Sequence, residues 1–184
     1  MKTFAASLLL MIVMLFAGSI PATAQTAAAL NETYHLGAGD KVHVSVYGQN
    51  DLSGDFTVDG GGSVQLPLIG QVKAIGLTVR QFEAAIADAL RAGEYLKDPK
   101  VSVEMTSYRP FYIIGEINKP GEYPYVNDMT VLNAVALAGG FTFRADDTEV
   151  FIRRHGSATE LKFPADPTTR VEPGDIVRVG ERFF

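Results

Sequence analysis

Cysteine is absent from the 184 residues, which excludes disulfides, thiolate metal sites, cysteine nucleophiles and lipid attachment through a cysteine. Long apolar runs are lacking too. Ser7 to Phe16 is apolar, but it is shorter than the roughly 20 residues a spanning helix needs. With Lys2 before it and Ala22-Thr23-Ala24 after it, this run has the layout of a secretory signal, and cleavage is expected after Ala24. Residues 1–24 are thus read as a signal peptide, leaving 160 residues, enough for two small modules with a shared interface. Basic charge is scarce: 16 Lys and Arg stand against 21 Asp and Glu, and loss of Lys2 would take the formal net charge from −5 to −6. That balance argues against non-specific attraction to nucleic acid or anionic lipid.

Catalytic signatures are equally thin. His35, His43 and His155 are scattered without metal-ligand spacing. Asp59-Gly60-Gly61-Gly62 is followed neither by a P-loop lysine nor by a helix start. Asp146-Asp147, or Asp51 with Asp55, would be needed as a glycosidase acid and base, but aspartate beside glycine and serine reads as turn chemistry. No nucleophile elbow, zinc helix or kinase signature occurs. The reading is a non-enzyme that needs no cofactor and no metal.

What is present is strand and turn patterning. Residues 25–33 are small and polar, a flexible lead into a first module at 34–106. There Val42, Val44 and Val46 alternate with polar residues behind a Gly39-Asp40 turn. Phe56 and Val58, then Val64, Leu66 and Leu68, flank the Asp59-Gly-Gly-Gly62 run, which predicts a hairpin. Thr78 and Gln81 have capping-box spacing, and Val79, Phe82, Ile86 and Leu90 share one stripe, so a helix is expected over about 79–91. Val101, Val103 and Met105 form a further strand.

The second module, 107–180, opens with a strand at 111–114, a turn at Asn118-Lys119-Pro120-Gly121 and a returning strand at 122–126. A helix capped by Asp128 or Thr130 carries Val131, Leu132, Val135 and Leu137 and stops at Gly139-Gly140. A hairpin at 149–154 and 159–163 and a closing strand at 176–179 complete it, with 181–184 as a tail. The expected fold class is α+β, two small modules each with strands packed on one main helix. One echo links them: Ala38-Gly39-Asp40-Lys41-Val42-His43-Val44 and Pro173-Gly174-Asp175-Ile176-Val177-Arg178-Val179 are the same turn before the same alternation.

The ordered elements from Leu36 to Ala89, including Pro67-Leu68-Ile69-Gly70 read as a strand end, resemble the polysaccharide export domain. Residues 115–123 (GEINKPGEY) and 130–140 (TVLNAVALAGG) resemble the soluble-ligand-binding β-grasp domain. Their order resembles that of outer-membrane polysaccharide export proteins. The resemblance implies a periplasmic ring of identical subunits through which capsular or exopolysaccharide passes, docked on an inner-membrane polysaccharide copolymerase. No amphipathic helix is seen after Val179, and lipid is crossed only by helices or closed barrels. A separate outer-membrane β-barrel is therefore expected as a partner, and nucleic acid is not. The alternative reading is a monomeric periplasmic glycan or small-ligand binding module; a polysaccharide-modifying enzyme ranks third.

Candidate contacts to polysaccharide or to a neighbouring subunit are Tyr108, Arg109 and Tyr112 at the module junction, and Arg153 and Arg154. An aromatic face beside a guanidinium suits stacking on, and hydrogen bonding to, a sugar. Deep sugar sites would slow a moving polymer, so a polar, weakly binding lining is expected.

Overall fold

Two hydrophobic cores sit side by side in a computed structural model that describes residues 34–182. The expected signal peptide and flexible lead lie outside the described residues.

In the first module β1 (Lys41–Val46) alternates as the sequence predicts, with Val42, Val44 and Val46 buried. It is the centre of a three-stranded antiparallel sheet, flanked by β2 (Gly54–Thr57) and β5 (Val101–Ser107). A single 3-10 turn at Asn50–Leu52 lies between β1 and β2. β3 (Ser63–Leu66) and β4 (Gly70–Lys73) make a separate two-stranded ribbon. α1 (Val79–Ala92) starts with the full capping box: the Gln81 N–H donates to Thr78 Oγ1 (3.2 Å) and the Thr78 N–H to Gln81 Oε1 (3.0 Å). Its buried stripe of Val79, Phe82, Ile86 and Leu90 fills the core beneath both sheets. Glu83 of this helix accepts the Val103 N–H of edge strand β5 (2.9 Å), satisfying a donor that the edge leaves unpaired.

The glycine-rich reversal does not produce the expected hairpin. The chain does turn at 59–63, where Asp59 Oδ1 accepts from the Gly61 and Ser63 N–H groups (2.8 and 2.9 Å). β2, however, pairs with β1, setting Phe56 opposite Val42, while β3 pairs with β4. Phe56 gains more by packing over the buried valine of the central strand than by facing the ribbon. The Pro67–Gly70 segment is the ribbon's turn and no strand end: Ile69 donates to the Pro67 carbonyl (2.8 Å), and Leu68 is exposed with φ 65°.

In the second module β6 (Phe111–Gly115) and β7 (Gly121–Tyr123) form one antiparallel pair, and β8 (Ala145–Arg153) and β9 (Glu160–Pro164) another. β10 (Ile176–Glu181) inserts between them, parallel to β6 and antiparallel to β8, giving a five-stranded sheet in the order β7-β6-β10-β8-β9. Thr130, not Asp128, caps α2 (Val131–Leu137), in a capping box closed by Asn133. Val131, Ala134 and Val135 of that helix are buried with Phe111, Ile113, Val150, Ile152 and Val177 on one face of the sheet. Leu137, expected among its apolar positions, is half exposed. β10 runs on to Glu181, which pairs with Arg144, so the first tail residue belongs to the sheet. Among the described residues no helix is long and apolar enough to cross a membrane.

Candidate functional site: a sheet face beside the module junction

The echo seen in the sequence is a structural one. Gly39 (φ 91°) and Gly174 (φ 84°) take left-handed turns that L side chains rarely adopt, and each delivers the following aspartate into the interior with no exposed surface. In each turn the aspartate accepts from the N–H three residues back, Gly37 to Asp40 Oδ2 and Glu172 to Asp175 Oδ2, both at 2.8 Å. Each carboxylate then meets an arginine from another element. Arg154 Nη1 lies 2.5 Å from Asp175 Oδ2, and Arg109 Nη1 lies 3.4 Å from Asp40 Oδ2.

Arg109 joins the two turns. Its backbone N–H donates to Asp40 Oδ1 (2.8 Å) and its Nε to the Pro173 carbonyl (3.0 Å), so one residue holds the turn of each module. Its side chain is only 13% exposed. Tyr34 donates its hydroxyl to both Asp40 oxygens (2.7 and 2.9 Å). Tyr108 packs edge-on against Tyr34 (centroids 5.0 Å) and Tyr125 (5.4 Å), an aromatic chain across the junction. Tyr108 and Arg109, two of the sequence-predicted contact residues, thus stand in the seam between modules.

Burial raises the pKa of all three tyrosines above the ordinary phenol value, and for Tyr34 the Asp40 carboxylate adds to it. A phenol whose folded value is raised contributes stability that is intact below the unfolded value of 10.0 and is lost as pH rises above it. The expected result is a denaturation midpoint that falls on the alkaline side as pH rises beyond about 10. Tyr34→Phe should make that alkaline fall shallower. An equal alkaline loss in the variant would remove Tyr34 as its source.

Arg153 of the second predicted group lies, with Tyr112, on the face of the five-stranded sheet opposite α2, outside the junction seam where Tyr112 was expected. Cross-strand register sets Glu122, Tyr112, Ile176, Arg153 and Glu160 in one row across all five strands. Ile114, Arg178, Phe151 and Lys162 form the next row. Tyr112 is 40% exposed and donates its hydroxyl to Glu122 (2.8 Å), which raises the phenol's pKa. Arg178 lies over the Phe151 ring (4.2 Å) and binds Glu160 through Nη2 and Nε (2.7 and 3.1 Å).

Where the first row meets the turns, Tyr112, Ile176, Arg153, Arg154, His155, Ser157 and the two glycines 156 and 174 enclose an open cleft of about 220 Å³. Three of the five sequence-predicted contact residues, Tyr112, Arg153 and Arg154, therefore meet at one site. Arg154 is anchored there by Asp175, by the Arg170 carbonyl (3.2 Å) and over the Phe163 ring (5.5 Å). Burial, and next the nearby Arg109 charge, hold His155 below the usual imidazole value. Burial pushes the Asp175 carboxyl up, against the Glu172 N–H and Arg154, and its Oδ1 is buried without a hydrogen-bond partner.

Sequence reasoning set aside His155 and passed over Ile176 as a plain strand residue. It also noted the Gly-Asp echo without assigning its aspartates a role. The echo itself was the available signal, since a buried carboxylate must be paired. Among the described residues no group of three or more His, Cys, Asp or Glu is placed to hold a metal ion.

A mixed sheet backed by one helix, joined through a paired Gly-Asp turn to a smaller sheet-and-helix module, defines a two-module α+β protein with an open, aromatic and cationic sheet face. A model of the polysaccharide biosynthesis/export protein family matches residues 28–106, and a model of the SLBB domain matches 109–179. The chain belongs to the polysaccharide export protein family. It is 38% identical over 149 residues to the exopolysaccharide production protein ExoF of Rhizobium meliloti, covering 75% of this chain and 35% of that protein. It is 31% identical over 163 residues to the EPS I polysaccharide export outer membrane protein EpsA of Ralstonia nicotianae, covering 82% and 42%. Identity to the polysialic acid transport protein KpsD of Escherichia coli is 30% over 112 residues, covering 60% and 20%. The chain thus spans at most about two fifths of the length of these relatives.

Proposed function

We propose that this chain is a periplasmic component of a polysaccharide export apparatus, assembling as a ring of identical subunits that conducts capsular or exopolysaccharide towards the outer membrane. The observation that carries the reading is the presence, in order and nearly end to end, of both family modules. Relatives named for polysaccharide export and polysialic acid transport support the same cargo class. An inner-membrane polysaccharide copolymerase below and a separate outer-membrane β-barrel above are the proposed partners. Tyr108 and Arg109 act in this scheme by holding the two modules in one orientation, so that each subunit presents its sheet face at a fixed angle. Tyr112, Arg153 and Arg154 contact the polymer or the next subunit.

Deleting the chain is expected to trap polymer in the periplasm or stall its synthesis, and restoring the mature segment should return polymer to the cell surface. Normal surface polymer in the deletion strain would overturn the reading. The cleft favours one competing reading, a monomeric glycan-binding module. Light scattering on membrane-extracted protein separates the two, since a ring gives a mass several times that of one chain.

A further inference from the structure

We propose that the cleft between Tyr112, Ile176, Arg153 and His155 is a subsite for an acidic sugar unit, one that carries a carboxylate. This rests on the polysaccharide reading above and names the chemistry of the cargo.

Charge selects the class. The chain carries a formal net charge of −5, yet the ionisable residues lining this cleft, tyrosine apart, are Arg153, Arg154 and His155, and no carboxylate lines it. An acidic protein that turns only basic groups into a cleft offers anions a local attraction that its overall charge opposes. The two arginines differ in what they offer. Arg154 is committed to buried Asp175 and, at 3.4 Å, to Glu172. Arg153 is exposed; its cross-strand carboxylate Glu160 is hydrogen-bonded by Arg178, and feels the Arg153 charge only as a weaker, through-space attraction. Arg153 is therefore the less committed of the two cations for a ligand carboxylate, and a guanidinium fork matches a carboxylate edge to edge.

Shape selects a sugar. Tyr112 and Ile176 are direct neighbours in the register and line the cleft with an aromatic and an aliphatic side chain, the residue types that suit the C–H face of a pyranose. Ser157 and His155 on the rim supply hydroxyl and imidazole partners for ring hydroxyls. The volume of about 220 Å³ is below the range of pockets that enclose a drug-sized ligand. It fits one residue of a chain that enters and leaves over an open rim. The cross-strand row of which Tyr112 and Ile176 are part continues over the sheet, so neighbouring units of the polymer have a surface to follow.

The test is an NMR titration of the isotope-labelled mature chain with two acidic oligosaccharides, tetragalacturonate and a glucuronate tetramer. The methyl ester of the first serves as an uncharged probe with the same backbone. Shifts are expected at Tyr112, Arg153, His155 and Ile176, with the ester roughly fivefold or more weaker than the acid. Arg153→Gln should weaken acid binding roughly threefold to tenfold, the scale of one part-exposed charged contact, and leave the ester unchanged. Lys97→Gln, an exposed change of the same charge on the first module, should do neither.

Absence of shifts at the cleft with both acids overturns the proposal, as does equal binding of acid and ester or an equal loss in the two variants. Self-association driven by the same residues, seen as a concentration-dependent mass that Arg153→Gln abolishes, would assign the cleft to a neighbouring subunit and overturn it too. Each of these failures leaves surface polymer in the complemented strain untouched. The export reading fails on that separate measurement.

Discussion

Asp40→Ala is expected to lower the stability of the folded chain by about 3–5 kcal/mol, the cost of stripping one partner from a buried ion pair. The carboxylate has no exposed surface and accepts from the Tyr34 hydroxyl, the Gly37 N–H and the Arg109 N–H, with Arg109 Nη1 alongside. Alanine would leave those donors without their acceptor in a place that admits little water, and the guanidinium would lose its counter-charge. Domain stabilities are about 5–15 kcal/mol in total, so the loss is a large part of what holds the chain folded. Since Arg109 also holds the Pro173 carbonyl, the seam should loosen with the first module. Urea denaturation should show the midpoint falling while the transition keeps its slope. A change below about 1 kcal/mol, the size of a surface pair, would mean that solvent already reaches this carboxylate.

Gly115→Ala should cost about 2–5 kcal/mol, adding overpacking to the left-handed backbone penalty. At Gly115 the chain has φ +91°, and an added Cβ would lie 2.1 Å from the Val179 carbonyl oxygen and 3.0 Å from its carbon. Val179 is the register partner of Gly115 in the parallel β6 and β10 pair, and its carbonyl accepts the Glu116 N–H (3.1 Å). The neighbour is therefore backbone at the centre of the sheet, which cannot swing away as a side chain tip would. Gly156→Ala isolates the conformational part: φ is +76°, with nothing within 4 Å of the added methyl. It should cost about 1 kcal/mol. Equal losses at the two positions would refute the steric account, and thermal unfolding followed by circular dichroism measures both.

Much of this architecture was legible because it is local. The valines of β1 and the stripe and threonine cap of α1 are patterns of period 2 or 3.6 with fixed end chemistry, and each formed where it was read, while for α2 the structure chose Thr130 over Asp128. The Glu122 return and the hairpin through Gly156-Ser157 were legible for the same reason, since a short turn forces antiparallel neighbours. Two readings failed where a partner had to be chosen. Nothing between Phe56 and Val64 says that β2 prefers β1 to β3, because that depends on Val42, which is more than ten residues away. Leu68 continued the alternation on paper, yet the ribbon needed a turn there and sent it to solvent.

The candidate site divides in the same way. Tyr112, Arg153 and Arg154 were chosen by residue type, and the register of three strands brings them to one cleft. Tyr108 and Arg109 were chosen on the same grounds, but burial and the pull of Asp40 set them into the seam. The export family, the two-module plan and most strand and helix positions follow from the sequence alone, because each depends on residues close together in the chain. The parallel insertion of β10, the pairing of the two Gly-Asp turns through Arg109 and the cationic lining of the cleft were decided only by tertiary structure. Each depends on residues tens of positions apart, brought together because the strands bury their apolar faces and a buried carboxylate must find a cation.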